Sequence, residues 1–214
     1  MDLTSLFDTV FTTLHQCDAW LLLKINGLHT DFWDPVMMFL TNKYTWIPFY
    51  GLIFFLVWRR YGAVTALMVL LGALMAVGFA DYLCASVLRP IFARPRPSNP
   101  MSEISELLHL VNSYRGGRYG FPSCHGANSF AFLSFMTVFL RPKWTALIIT
   151  LWIWAFINCF SRMYLGVHYP GDILVGAFIG SLIGVAVGRI LLFVRRPSWI
   201  AGLSMSRTAS SQPG

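Results

Sequence analysis

The chain has 214 residues, 56% of them hydrophobic and 12% charged, with a mean hydropathy of +0.60. Soluble domains run at roughly 45–50% apolar and about 25% charged residues, so this balance excludes an ordinary soluble domain and fits one integral-membrane helical bundle. The formal charge of +7 implies no nucleic-acid partner, because the basic residues are distributed as a membrane-orientation signal.

At the N-terminus "MDLTSLFDTV" lacks the basic stretch that opens a cleaved signal peptide, so the first helices are expected to stay in the mature protein. "DAWLLLKINGL" (18–28) and "DFWDPVMMFL" (31–40) are apolar but short and interrupted by acids. They read as interfacial or partly embedded helices, and a sixth span built from this region stays open. A membrane-crossing helix needs about 20 mostly apolar residues. Five stretches qualify, at 43–59, 62–88, 123–140, 143–161 and 171–194. The expected fold class is therefore all-α, a polytopic membrane bundle of five to six transmembrane helices with N-terminal interfacial helices. In the short 98–120 connection, "MSEISELLHL" has the apolar spacing of one amphipathic helix that would act as a lid or gate. Residues 1–197 are expected to form a single domain, and the Ser-rich tail 198–214 to be disordered.

Small residues recur every fourth position in two spans: Gly72, Ala76, Ala80 and Cys84 in the second, Gly176, Gly180, Gly184 and Gly188 in the last. Both stripes predict close helix packing. Cys17, Cys84, Cys124 and Cys159 are scattered without a CxxC pair, so neither a disulfide framework nor a metal site is expected.

Five spans put successive loops on alternating sides. One side carries Arg59, Arg60, Arg141, Lys143, Arg189, Arg195, Arg196 and Arg207 and no acid, whereas all nine acids fall on or near the other. The positive-inside rule makes the acid-free side cytoplasmic. Three polar clusters then gather on the outward side. "RPIFARPRP" (89–97) interleaves Arg89, Arg94 and Arg96 with prolines that stiffen the backbone, a strut suited to holding an anion. "FPSCHGANSF" (121–130) opens the third span, with Ser123 as its cap, free backbone N–H groups suited to phosphate, and His125 in the first turn. "SRMYLGVHYPGD" (161–172) carries Arg162, His168 and Asp172. An aspartate at the head of an apolar span is costly without a partner, and His168 is its natural one, since a carboxylate fixes a histidine's tautomer. Each cluster alone has a plain structural reading, as snorkelling arginines or a satisfied interfacial histidine. Their convergence on one face does not.

In order and spacing these clusters resemble the type 2 phosphatidic acid phosphatase superfamily, lipid phosphatases related in fold to vanadium haloperoxidases. Arg89, six residues, then Arg96-Pro97 resembles the first family motif with arginine for lysine; Pro122-Ser123-Cys124-His125 resembles the second with cysteine for glycine; Ser161-Arg162, His168 and Asp172 match the third in full. The resemblance implies that His168 is the nucleophile, forming a phosphohistidine. Asp172 would orient it, and His125 would protonate the leaving oxygen. Arg89, Arg96, Arg162, Ser123 and the backbone near Cys124 would bind the phosphoryl oxygens. It also implies a metal-free reaction without cofactor.

The implied partners are a membrane lipid phosphate and the bilayer, with the oligomeric state left open. The small size and outward site suggest a bacterial inner membrane and, as substrate, undecaprenyl diphosphate; the phosphates of lipid A and phosphatidylglycerol phosphate are the alternatives, because the motifs read phosphate rather than tail. Arg115 and Arg118 lie near enough in sequence to meet a second phosphate, although solvated loop charges are the plainer reading. A non-catalytic lipid-phosphate binder or transporter is the competing class. It predicts damage to the nucleophile, acid or orienting aspartate, and all three are intact.

Overall fold

The computed structural model describes residues 2–140 and 144–194. The expectations placed on Arg141, Lys143, Arg195, Arg196, Arg207 and the tail 198–214 lie outside the described residues. Among the described residues the architecture is all-α: α1 Leu3–Asn26, α2 Trp33–Thr41, α3 Ile47–Tyr61, α4 Ala63–Tyr82, α5 Arg89–Phe92, α6 Cys124–Leu140, α7 Thr145–Tyr164 and α8 Pro170–Val194. A π-helical turn, Leu83–Leu88, joins α4 to α5 without a break.

Three of these helical runs are long and apolar enough to cross a membrane: Ala63–Phe92, Thr145–Tyr164 and Pro170–Val194. α6 has 17 residues and α3 has 15, and both fall where a span is expected. The outward faces are apolar, with Leu67, Leu71, Leu74, Phe178, Leu182 and Phe193 exposed, as a lipid-facing surface requires. The protein is integral to the membrane.

α6 is the central post. It buries residues on every side, from Ala127 and Ala131 to Phe132, Leu133, Phe135 and Met136. The glycine stripe of α8 lies directly on its backbone. A Cβ added at Gly176, Gly180 or Gly184 would collide with the carbonyls of Ser123, Ala127 and Ala131, and one at Gly188 would come within 3.0 Å of Val138 Cβ. The stripe of α4 packs on the other side, where a Cβ at Gly72 would lie 2.6 Å from Phe135 Cζ. In lipid such contact supplies the van der Waals attraction that holds helices together.

Two expectations are corrected. "MSEISELLHL" forms no α-helix, only a single tight turn at Ser105–Leu107. Its serines and the adjoining Asn99 take other partners: Asn99 Oδ1 accepts from Met101 N at 2.9 Å and Ser105 Oγ donates to Ser98 O at 3.4 Å, while Ser102 Oγ meets Tyr169 Oη at 3.0 Å across the fold. Serine and asparagine compete with helical bonding in this way. At the N-terminus the helix around "DAWLLLKINGL" is far longer than its apolar run. It begins at Leu3 because Asp2 caps it, accepting from Ser5 N at 2.8 Å.

Candidate active site

Four helical runs meet at one end of the bundle: the C-termini of α5 and α7 and the N-termini of α6 and α8. The proline-rich strut pairs antiparallel with the segment before α6. Arg96 N donates to Arg118 O at 3.1 Å, and Gly120 N donates to Arg94 O at 2.9 Å. The strut is thereby locked beside the 165–169 turn, which Gly166 closes in the left-handed region at φ +68°.

His168 is fully buried in that turn. Its Nε2 lies 2.8 Å from Arg96 Nη1, and its Nδ1 lies 3.4 Å from Asp172 Oδ2. A guanidinium can only donate, so Nε2 must be the acceptor and the neutral ring carries its proton on Nδ1, facing the carboxylate. Burial first, then the charges of Arg96 and Arg162, holds the imidazole well below its ordinary value of 6.5. The arrangement therefore supplies a neutral histidine with its Nε2 lone pair directed at a cation. Arg96 is fixed by donating to Val167 O at 3.0 Å and to Tyr119 O at 3.1 Å. Its own pKa falls to about 10 through burial and the nearby Arg162 and Arg89.

Asp172 is fully buried and saturated. Oδ1 accepts from Arg94 Nη1 at 2.8 Å and Oδ2 from Tyr169 N at 3.0 Å. Gly120 presses on this pair: an added Cβ would lie 3.0 Å from Asp172 Oδ2, 3.2 Å from Arg96 Cγ and 3.5 Å from His168 Nδ1.

Ser123 caps α6 as expected, its Oγ accepting from Gly126 N at 3.3 Å, and its own N–H donates to Asp172 O at 2.9 Å. The two positions that depart from the family motifs touch one another. Arg89 Nη2 donates to Cys124 Sγ at 3.0 Å and to Pro122 O at 3.3 Å. Arg162 is buried, donating to Thr41 Oγ1 at 2.6 Å and Tyr114 Oη at 3.2 Å. The Nε groups of Arg89 and Arg162 are buried without a partner among the described residues. Orphan donors on clustered guanidiniums suit a tetrahedral oxyanion.

Cys124, half-buried His125 and Arg162 line the head of a cavity of about 950 Å³. Its walls are largely apolar, including Trp46, Tyr50, Phe54, Leu74 and Phe132. All eight sequence-predicted site residues thus fall in one cluster. His168 is wholly enclosed, with Arg96 across its Nε2. Arg115 is not a free anion ligand, since its Nη1 donates to Ser98 O at 2.6 Å and to Ser105 Oγ at 3.0 Å. Gly120, Tyr114, Thr41 and Asp18 escaped the sequence reading. Gly120 and Tyr114 reach the site from a loop, Thr41 from the end of α2 and Asp18 from within α1, none with a motif of its own. Arg94 was read only as part of the arginine strut.

The sequence profile of the PAP2 superfamily matches residues 66–196. The lipid A 4'-phosphatase of Bacteroides thetaiotaomicron is 43% identical over 171 residues, 80% of this chain and 75% of that protein. The lipid A 4'-phosphatase of Porphyromonas gingivalis is 32% identical over 176 residues, 82% of this chain and 73% of that protein. The crystal structure of Aquifex aeolicus LpxE aligns with a TM-score of 0.58 at 26% identity, covering 80% of this chain and 92% of that one. A PAP2-type phosphatidylglycerolphosphate phosphatase from Bacillus subtilis shares the fold, with a TM-score of 0.63 at 22% identity over 86% of this chain and 89% of that one.

Proposed function

The chain belongs to the PAP2 superfamily and is a lipid phosphatase, and from that premise we propose that it removes a phosphate monoester from lipid A through a phosphohistidine on His168. The observation that carries the substrate is the 43% identity to a lipid A 4'-phosphatase over 80% of the chain. It reverses the order read from sequence, which put undecaprenyl diphosphate first. The cavity beneath His125 and Arg162, about 950 Å³ and largely apolar, supports a substrate whose acyl chains stay in the bilayer while its phosphate reaches the arginines.

The chemistry follows from the cluster. An incoming phosphate takes donors from Arg89, Arg96, Arg162 and the N-terminus of α6, and draws Arg96 Nη1 away from His168 Nε2. The freed lone pair attacks phosphorus as the bond to the sugar oxygen breaks. His125 gives that oxygen a proton, and Asp172 steadies the charge growing on the imidazole through Nδ1–H. In the second step a water attacks phosphorus, His125 takes its proton, and the P–N bond breaks to release phosphate. The arginines stabilise both pentacoordinate states. The side opposite the site carries Arg59 and Arg60 in the last turn of α3, and Arg189 lies in the half of α8 away from the site. This supports a cytoplasmic location for those residues and an outward-facing site in an inner membrane.

The test is mass spectrometry of bisphosphorylated lipid A and undecaprenyl diphosphate after incubation with detergent-purified protein in excess EDTA. Loss of one phosphate from lipid A, with undecaprenyl diphosphate turned over at least tenfold more slowly, is expected. The opposite preference by folded protein overturns the substrate.

A further inference from the structure

The first helix reaches into the site from outside the region that the family profile covers. Residues 66–196 match that profile, and Asp18 lies on α1, Leu3–Asn26. Its carboxylate has two partners. Oδ1 accepts from Gly171 N at 2.7 Å, in the first turn of α8, and Oδ2 accepts from Arg94 Nη2 at 2.8 Å. The first contact satisfies an N–H that the helix start leaves open. It also sets a negative charge at the positive end of the helix dipole. Gly171 leaves room for this approach, since a Cβ there would lie 2.9 Å from Asp18 Oδ2 and the carboxylate would have to shift.

Arg94 is thereby held between two carboxylates. Nη2 goes to Asp18, Nη1 goes to Asp172 Oδ1 at 2.8 Å, and the guanidinium lies 4.0 Å from the centre of the Tyr169 ring. Tyr169 and Gly171 are the chain neighbours of His168 and Asp172. With Oδ1 committed to Arg94, Asp172 has Oδ2 left to face His168 Nδ1 and Tyr169 N. Without Asp18 the Nη2 end would lose its ion pair and keep only the contact with His15 Nδ1, 3.1 Å away, and a guanidinium held more loosely at that end aims the Asp172 carboxylate less firmly.

We propose that Asp18 is a positioning residue for the reaction, aiming Asp172 at His168 through Arg94. The inference rests on the reading of His168 and Asp172 as the reacting pair. It makes α1 a working part of the site rather than a membrane anchor alone.

Asp18→Asn is the sharpest probe. It keeps an oxygen for Gly171 N–H, but its amide NH2 cannot accept from Arg94. The expected result is a kcat lowered by about 10- to 100-fold, with KM unchanged within about twofold, as for a group felt only in the transition state. Thermal unfolding in detergent should stay near the parent value. Arg94→Gln reads the same link from its other end without touching α1, and should lower kcat by a similar factor. The double variant should be no slower than Arg94→Gln alone, because both changes sever one connection. Full kcat in either single variant, or losses that multiply in the double, would overturn the proposal. If His168→Asn and Asp172→Asn also keep full kcat, the underlying reading of the reacting pair has failed, and the Asp18 proposal falls with it.

Discussion

Asp172→Asn changes almost no volume and yet cannot be accommodated. The carboxylate is fully buried, with Oδ1 accepting from Arg94 at 2.8 Å and Oδ2 facing Tyr169 N at 3.0 Å and His168 Nδ1 at 3.4 Å. An asparagine must set its NH2 toward one of these groups, and every one is a donor. Turned toward Arg94, it breaks the ion pair. Turned toward His168, it forces the ring proton onto Nε2, where it meets Arg96 Nη1 and consumes the lone pair that attacks phosphorus. Losing the ion pair lowers folding stability, by less than the cost for a fully buried pair, about 3–5 kcal/mol, because the Arg94 side chain is 24% exposed. The rate is set instead by the tautomer: where a histidine's orienting carboxylate is replaced by its amide in a Ser-His-Asp triad, kcat drops by about 10⁴-fold, and a fall of about 10²- to 10⁴-fold is expected here. The assay is phosphate release at saturating lipid A in detergent, beside thermal unfolding to establish that the variant is folded. A folded Asp172→Asn that keeps more than about one-tenth of kcat, or that loses only KM, would refute the tautomer argument.

The same geometry gives three further expectations. Gly120→Ala puts a methyl group 3.0 Å from Asp172 Oδ2, and kcat should drop by about 10- to 100-fold, as for small misplacements of reacting groups, checked by steady-state kinetics. Because Arg89 and Cys124 touch, Arg89→Lys and Cys124→Gly should each slow turnover by about 3- to 10-fold. The double variant should recover to within about twofold of the parent, a non-additivity read from the four-member cycle. For pH, the sign follows from His168 being held well below 6.5. Its neutral form persists in the folded state on mild acidification, so the acid-side fall in kcat/KM should lie well below 6.5 in a pH–rate profile. Folding stability from this burial is complete above 6.5 and is lost as pH falls from there toward the lowered folded value. His168→Gln should flatten that part of a stability-versus-pH series.

The sequence carried the site because the chemistry is written in short, local spacings. His168 and Asp172 are one helical turn apart, and Ser123 and His125 share a helix start, so residue identity alone brings them into register. The α8 glycines were legible for the same reason, as a period of four on one face. What stayed hidden depends on contacts across long stretches of chain. Asp18 meets Gly171 across 153 positions, and Arg162 meets Thr41 across 121. An acid at the edge of a short apolar run looks like a solvated boundary until the fold supplies its partner. Gly120 was silent because glycine in a loop reads as a turn, whereas its function is to leave room for Asp172 and His168. Segment 101–110 has the apolar spacing of a helix, but Asn99 and Ser105 bond nearby backbone and Ser102 bonds the Tyr169 hydroxyl, partners that apolar spacing alone does not register. The enclosure of His168 could not be read at all, since it depends on where one arginine's Nη1 points.

The central claim is a covalent phosphoryl group on His168, and the direct measurement is an alkaline quench of the protein turning over lipid A labelled with radioactive phosphorus at its phosphates. The account predicts an acid-labile, alkali-stable label within milliseconds to seconds, mapped to the peptide containing His168 and missing in His168→Asn. Sustained phosphate release with no label on that peptide, or release by His168→Asn at the parent rate, would contradict it.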